Sequence, residues 1–185
     1  MTDARIATPA EIIAFWQAAG RDRWYTRDDT FDADIRGRFL ATWQNAAAGG
    51  LSSWEASDEG ALALTIVLDQ FPRNLFRGDA RTFSSDALAR DVARRAIDRG
   101  VDARTDPLLR EFLYLPFEHS EDLADQQRCV TLFRQYVCHP DNLKYAEDHA
   151  DIIRRFGRFP HRNAVLGREM TAEEQAFLDA GGFSG

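Results

Sequence analysis

The chain has 185 residues, of which 44% are hydrophobic and 29% are charged, and its formal net charge is −7. A globular chain of this length buries roughly 70% of its unfolded surface, so a single domain spanning residues 1–185 is predicted. The acidic balance argues against a nucleic-acid or anionic-membrane binder, because such surfaces need a net basic footprint. No apolar run approaches the roughly 20 residues of a membrane span, and no signal peptide is recognisable, which predicts a cytoplasmic protein.

Helical patterns begin near the start of the chain. Residues 8–11 (TPAE) form a capping box with proline at the first helical position. In residues 31–46, apolar side chains follow the i, i+4 spacing of an amphipathic helix, which stops at Gly49. The string "SDEGALALTIVLDQF" has the apolar density of a strand, but its length and its Leu and Ala content favour a buried helix ended by Pro72.

Further helices are predicted in the middle of the chain from capping residues and stop signals. Ser85 is predicted to cap a helix that ends at Gly100, and Asp106 begins a short helix that ends before Pro116. Ser120 is predicted to cap a longer helix whose apolar positions continue to residue 137.

The last part of the chain has the clearest helical period. Apolar residues step by three and four over residues 143–156 and stop at Gly157, and residues 171–174 (TAEE) form a second capping box. About eight helices joined by short loops, without a convincing hairpin or alternating strand pattern, predict an all-α fold of antiparallel helix pairs.

The two cysteines are predicted to be free thiols. Cys129 and Cys138 are nine positions apart in what reads as one helix. At 1.5 Å per residue this spacing corresponds to about 13 Å, which is beyond the reach of a disulfide bond.

Two similar strings follow apolar helical runs: "QFPRN" at residues 70–74 and "RFPHRN" at residues 158–163. In a structural interpretation, each Arg satisfies helix carbonyls and each Asn closes a turn. In a functional interpretation, the two strings meet each other and residues 118–122, and their forked donors bind a phosphate or carboxylate. The candidate ligand-binding residues are Arg73, Asn74, Arg158, Arg162 and Asn163, with His161 as a candidate acid–base residue.

A third polar string, "FLYLPFEHSEDLADQ", contains His119, which a neighbouring carboxylate could orient as a general base. A satisfied, partly buried histidine is the structural alternative. Asp69 closes an apolar helix where its charge opposes the helix dipole, so it needs a partner such as Arg73 or Arg162. His119, His149, Glu118 and Asp122 lack the spacing of known metal motifs, and no metal or other cofactor is predicted.

The strings "ALALTIVLDQFPRNLFRG", "FLYLPFEHSEDLADQ" and "RRFGRFPHRNAVLGREMTAEEQAFL" together resemble the bacterial domain-of-unknown-function family numbered 924. The resemblance covers nearly the whole chain from about residue 10, and it implies a helical fold similar to tetratricopeptide-repeat domains. It carries over no catalytic residue. The family's signature strings include residues 69–74, 119–121, 157–163 and 167–168, whereas the position of Glu118 varies in its pattern.

Two functions of different classes are consistent with these patterns. The first is a site for a small anionic ligand, in a binding protein or in an enzyme such as a hydrolase, built from the two Phe-Pro strings and His119. The second is a helical module that binds a peptide or a protein without catalysis. An enclosed cationic pocket would favour the first function, and an open apolar groove the second.

Overall fold

A computed structural model describes residues 5–136 and 139–184. In chain order its α-helices are α1 (Pro9–Trp24), α2 (Asp29–Ala47), α3 (Asp58–Asp69), α4 (Phe71–Leu75), α5 (Asp86–Asp98), α6 (Val101–Arg104), α7 (Pro107–Arg110), α8 (Leu115–Glu118), α9 (Leu123–Gln135), α10 (Asn142–Phe156) and α11 (Ala172–Asp179). Short 3-10 turns lie at Ser52–Ala56, Ala80–Phe83, Glu111–Leu113 and Pro160–Arg162. The described residues contain no strand, which confirms the all-α prediction.

Backbone contacts group the chain into two compact units. The first comprises the chain up to Arg77 together with Arg81–Pro116, and the second comprises Gly78–Ala80 and the chain from Phe117 onward. The single domain over residues 1–185 stays a prediction, as does a tetratricopeptide-like arrangement of helix pairs. None of the described helices combines the length and the apolar character that crossing a membrane requires.

Helix α3 forms the centre of the first unit. Every residue from Gly60 to Asp69 is buried, and the helix contacts α1, α2 and α5. An α-helix that is apolar on all sides needs protein around its whole circumference. The prediction of a buried helix over the string "ALALTIVLD" is therefore confirmed.

Helix α1 starts at the predicted capping box. The Thr8 hydroxyl accepts a hydrogen bond from the Glu11 N–H, and the Glu11 carboxylate accepts one from the Thr8 N–H. The helical geometry breaks at Gly20, whose φ of 72° lies in the left-handed region that glycine adopts without strain. After this break Arg21 donates to both oxygens of the buried Glu111 at 3.0 Å, which holds the last turn of α1 in place.

The first Phe-Pro string does not form the predicted turn. Helix α3 ends at Asp69 and α4 follows almost at once, so Pro72 lies in the first turn of a new helix. The missing N–H of proline costs no hydrogen bond at that position. The prediction that α3 continues to Pro72 is wrong for this reason, and Arg73 and Asn74 lie inside α4.

Two predicted caps also differ from the structure. Asp122, and not Ser120, is the N-cap of α9, and its carboxylate accepts hydrogen bonds from the first turn. The Ser120 hydroxyl instead donates to Asp125 at 2.8 Å. Ser85 does stand at the N-cap of α5, but its hydroxyl donates to the backbone oxygen of Leu68 at 2.6 Å. The hydroxyl groups of both serines donate hydrogen bonds that a local capping pattern does not predict.

In the second unit, α9 and α10 pack against each other as an antiparallel pair. Arg134 near the end of α9 donates to Glu147 near the beginning of α10 at 2.6 Å. Farther along, Gln127 of α9 and Arg154 of α10 line the same groove. The connection between these helices includes residues 137 and 138, which lie outside the described residues.

Helix α10 ends at Gly157, as predicted, and Gly157 has a φ of 68°. Its N–H donates to the backbone oxygen of Ile153 at 2.8 Å, which closes the helix. The second unit contains a small apolar cluster beside this helix end. It consists of Ile152, Ile153 and Phe159, with Leu123, Phe156 and Phe177 packed against it.

The substitution Gly157→Ala is expected to lower the free energy of unfolding by about 1 kcal/mol, because alanine is strained at positive φ. Gly37→Ala is the matched control, since Gly37 is exposed within α2 and no atom lies near an added Cβ. This control should be stabilising by up to about 1 kcal/mol. Urea unfolding of both variants tests the difference, and equal shifts of the two midpoints would contradict it.

Cys129 is a buried free thiol. Cys138 lies outside the described residues, so the absence of a disulfide between these two cysteines stays a prediction.

Candidate functional site

In the first unit, Arg73 is held by two carboxylates. Its guanidinium donates to Asp86 at 3.0 and 3.2 Å and to the backbone oxygen of Asp69. The same guanidinium lies 3.6 Å from the fully buried carboxylate of Asp69, which confirms the expected partner of that residue. Burial alone would lower the pKa of Arg73, but Asp86 and Asp69 outweigh it and raise the pKa above its usual value.

Asn74 has a similar local role. Its amide donates to Asp32 of α2 at 2.8 Å, and Arg77 donates to the same carboxylate at 2.5 and 3.1 Å. Arg36 of α2 also donates to the backbone oxygen of Leu75. The polar residues of the first Phe-Pro string thus join α4 to α2 and α5 within the first unit.

In the second unit, the second Phe-Pro string meets the segment of residues 118–122. The Phe159 N–H donates to Glu121 at 2.8 Å, and Arg168 donates to the two oxygens of that carboxylate at 2.7 and 2.9 Å. Arg162 donates to the backbone oxygen of His119 at 3.0 Å. The predicted approach of these two segments is confirmed, whereas an approach of Arg73 to them stays a prediction.

The ionised carboxylate of Glu121 joins residues 118–122 to Phe159 and Arg168. Burial alone would raise its pKa, but the hydrogen bonds from Arg168 and the Phe159 N–H hold the pKa below its usual value. A carboxylate that accepts several charge-assisted hydrogen bonds prefers its charged form.

Arg158 forms an ion pair with a carboxylate on α11. It donates to Glu174 at 2.5 and 2.8 Å, while the same Glu174 completes the predicted capping box with Thr171. The hydrogen bond from Arg158 is the largest of the influences that lower the pKa of Glu174 to about 2. The contact joins α11 to the second Phe-Pro string.

Two imidazoles lie against the ring of Phe183. The centroid of this ring is 4.4 Å from that of His149 and 5.1 Å from that of His161. The ring of Phe159 also contacts both histidines, at 5.5 and 5.6 Å. Burial is the main reason why the pKa of each histidine falls from 6.5 to about 4, so both imidazoles are neutral at pH 7.

The surroundings of His161 are predominantly cationic. After burial, Arg162 is the strongest influence that lowers its pKa, and Arg168 acts in the same direction. Glu121 is the carboxylate that opposes them. The Arg162 guanidinium also lies 4.4 Å from the ring centroid of Phe159, beside the imidazole.

Several buried polar atoms beside this cluster have no hydrogen-bond partner among the described residues. They include Nδ1 of His161, Nε of Arg168 and Oδ1 of Asn163. Asn163 is fully buried, and its amide nitrogen lies 3.4 Å from the sulfur of Met170. Buried polar groups normally have partners, so these atoms are the candidates in this cluster for hydrogen bonds to a ligand.

Glu118 is buried although the family pattern gives its position no particular role. Its carboxylate lies 3.7 Å from Nδ1 of His149 and 4.0 Å from the sulfur of Cys129. Burial, followed by the charge of Glu118, raises the pKa of Cys129 well above its usual value, which makes this thiol a poor nucleophile. In the described part of the chain, no three His, Cys, Asp or Glu side chains are grouped as a metal site requires.

The sequence indicated most of this cluster but missed the position of His149. Its place among Ala146, Ala150 and Ile153 on the buried face of α10 is a helical pattern that could have shown its burial. Nothing in the sequence indicated that Phe183 would cover it.

The described residues of the second unit also form two grooves. One, of about 400 Å³, lies between α9 and α10, and most of its lining is polar or charged. The other, of about 330 Å³, lies between α10 and the segment that contains α11, and it has an aromatic lining that includes Phe177 and Phe183.

These features describe an all-helical protein whose second unit contains a partly buried network of Arg, His, Glu and Asn side chains, where the second Phe-Pro string meets residues 118–122. The chain belongs to the family described as bacterial protein of unknown function (DUF924), whose model matches residues 12–182. It is similar to a solved structure of a protein of unknown function, ATU0120, from Agrobacterium tumefaciens. The sequences are 46% identical, the TM-score is 0.90, and the match covers 93% of this chain and 97% of the other. No curated protein matches the chain.

Proposed function

We propose that the second unit binds a small anionic ligand beside His161 and Arg162. The observation that carries this proposal is the cationic environment of the partly buried His161 imidazole, whose buried Nδ1 atom lacks a hydrogen-bond partner in the described chain. The buried Nε of Arg168 is an N–H donor in the same condition. A carboxylate or phosphate oxygen can accept hydrogen bonds from N–H groups of this kind.

The proposed site contains fewer residues than the sequence suggested. Arg158 and Arg168 already donate paired hydrogen bonds to Glu174 and Glu121, so a ligand would have to compete with a carboxylate for the N–H groups in those pairs. In this proposal Arg162 supplies charge, His161 supplies a hydrogen bond, and Asn163 supports the turn. Arg73 and Asn74 keep the contacts described above and do not bind the ligand.

Binding without catalysis at His161 is the proposed activity. A general base works best when its pKa lies near the working pH, and a pKa of about 4 makes His161 a weak base at neutral pH. A bound anion would raise the pKa of His161, because it would offset the charge of Arg162. His119, whose backbone oxygen accepts from Arg162, is proposed to position that guanidinium.

The alternative function is a helical module for a peptide or protein partner. The observation in its favour is the groove between α9 and α10, and this helix pair also supports tetratricopeptide-like pairing. Val130 and Ala150 are the apolar residues of a lining that is otherwise polar or charged. Grooves that bind amphipathic helices are mostly apolar, so we rank this function second.

Thermal melts with millimolar phosphate, citrate or acetate test the anion site. We expect at least one anion to raise the melting temperature of the wild type, since a ligand at 100 times its Kd stabilises the folded state by about 2.7 kcal/mol. The variant Arg162→Ala should lose this rise.

Arg154→Ala is the matched control, because Arg154 belongs to the same unit and is paired with Asp151 on the exposed side of α10. This control should keep the full anion effect. Equal rises in both variants would reveal a general salt effect and contradict the proposal. No rise in the wild type would contradict it as well.

A further inference from the structure

The groove beside α10 has a lining rich in aromatic side chains. Two of its side chains are well exposed for their type, with 51% of Tyr145 and 38% of Phe183 accessible. Phe156 and Phe177 extend the lining, and their ring centroids are 5.2 Å apart. Exposed aromatic side chains that share one concave surface are typical of a binding site.

The size of this groove suits a small molecule. Its volume of about 330 Å³ is near the lower end of the range of roughly 300 to 1,000 Å³ found for ligand pockets. Such pockets combine an apolar lining with a few polar groups that orient the ligand.

The charged groups of the groove are already paired. Asp148 accepts from Lys144 at 2.6 Å, and Asp151 accepts from Arg154. Arg155 pairs with Glu173 at 2.9 Å. Since the carboxylates and the guanidinium have partners of opposite charge, the aromatic part of the groove favours a neutral occupant.

Arg155 also reinforces the aromatic wall. Its guanidinium carbon lies 4.6 Å from the ring centroid of Phe156 and 5.9 Å from that of Phe177. Cation–π contacts of this kind favour one arrangement of the guanidinium and the two rings, which helps to preform this wall.

His149 gives the groove a polar group with a defined role. Its Nδ1 lies 2.7 Å from the backbone oxygen of Tyr145, and a carbonyl can only accept, so Nδ1 carries the proton. In the neutral imidazole Nε2 is then a hydrogen-bond acceptor. A ligand that complements the groove therefore presents an N–H or O–H donor at the edge of its ring.

We infer that this groove binds a small neutral aromatic molecule with a ring-edge donor, of the phenol or indole class, which donates to His149. This site adjoins the proposed anion site but uses a different hydrogen-bonding residue, since His149 serves the aromatic ligand whereas His161 and Arg162 serve the anion. Phe183 contacts both His149 and His161 and is the side chain through which the two sites adjoin.

A comparison of indole with benzofuran tests the inference, because the two rings have nearly the same shape and benzofuran lacks the N–H donor. Calorimetry with wild-type protein should show indole binding at least tenfold more tightly than benzofuran. Amide signals of residues 145–156 and 177–183 should shift in NMR spectra on addition of indole. Equal affinities, or shifts located elsewhere in the chain, would overturn the inference.

Variants separate the aromatic lining from the hydrogen bond. Tyr145→Ala should weaken indole binding at least fivefold, and His149→Phe should abolish the preference for indole over benzofuran. Arg134→Ala, in the other groove, should bind indole as the wild type does. If His149→Phe does not fold, the ligand comparison on the wild type still decides the role of the donor. Indole carries no charge, so its failure to bind would leave the anion proposal standing.

Discussion

Replacing Arg73 with methionine is expected to lower the free energy of unfolding by roughly 3 to 5 kcal/mol. The guanidinium lies between Asp86 and Asp69, and the Asp69 side chain is 1% exposed. Methionine fills a similar volume but leaves the negative charge of the two carboxylates uncompensated by Arg73. Gln70, which donates to Asp69 at 2.6 Å, can offset only part of this loss. Urea unfolding followed by circular dichroism measures the change.

Arg104→Met is the matched control for this prediction. Arg104 donates to both oxygens of Asp58 at 2.6 and 3.0 Å, but both side chains are about half exposed. Solvent screens such a pair, so its loss should barely move the unfolding midpoint. Adding Asp69→Asn to Arg73→Met should restore part of the stability, because it removes the buried charge. Similar losses in Arg73→Met and Arg104→Met would show that burial of Asp69 is unimportant.

Local sequence signals predicted the helices well where those signals act within one or two turns. The capping boxes at Thr8 and Thr171 formed as predicted, since each involves a side chain and a backbone group three residues apart. The stop at Gly157 is equally local. The buried helix α3 was predictable because apolar residues on every side exclude an exposed surface helix.

The predictions failed where the local sequence allowed two helix boundaries of similar energy. Ser120 and Asp122 are both good capping residues, and contacts outside the first turn decided between them. Gln126 donates to the backbone oxygens of Glu118 and Ser120 at 2.6 Å, which fixes the segment before α9. Pro72 likewise suits either the end of a helix or the first turn of the next.

The candidate site was predictable as a set of polar strings, but the pairing of its charges was not. Nothing in the spacing of Arg158 or Arg168 indicates that Glu174 and Glu121 neutralise them, because these pairs form between segments that only folding brings together. The residue types therefore suggested a larger cationic site than the one proposed here, which consists of His161 and Arg162.

The stability of the folded chain is expected to fall as the pH drops from about 6.5 towards 4. His149 and His161 have pKa values of about 4 in the folded protein and 6.5 as ordinary histidines. In this window the unfolded chain binds more protons than the folded chain, so protonation favours unfolding. The slope for each imidazole approaches its full value only below pH 6.5, so each should cost roughly 1 to 2 kcal/mol between pH 6.5 and pH 5.

Urea unfolding at pH 7, 6 and 5 measures this dependence on pH. The lowered pKa of Glu174, about 2 against an ordinary value of 4.5, adds a further loss only below about pH 4.5, so it does not confuse the result. His161→Gln removes one of the two groups and should reduce the slope of stability against pH by about half. His139→Gln is the control, because the partly exposed His139 makes none of the ring contacts of the other two histidines. A slope that His161→Gln leaves unchanged would show that the His161 imidazole does not titrate differently in the folded and unfolded chains, and the electrostatic basis of the proposed anion site would fail with it.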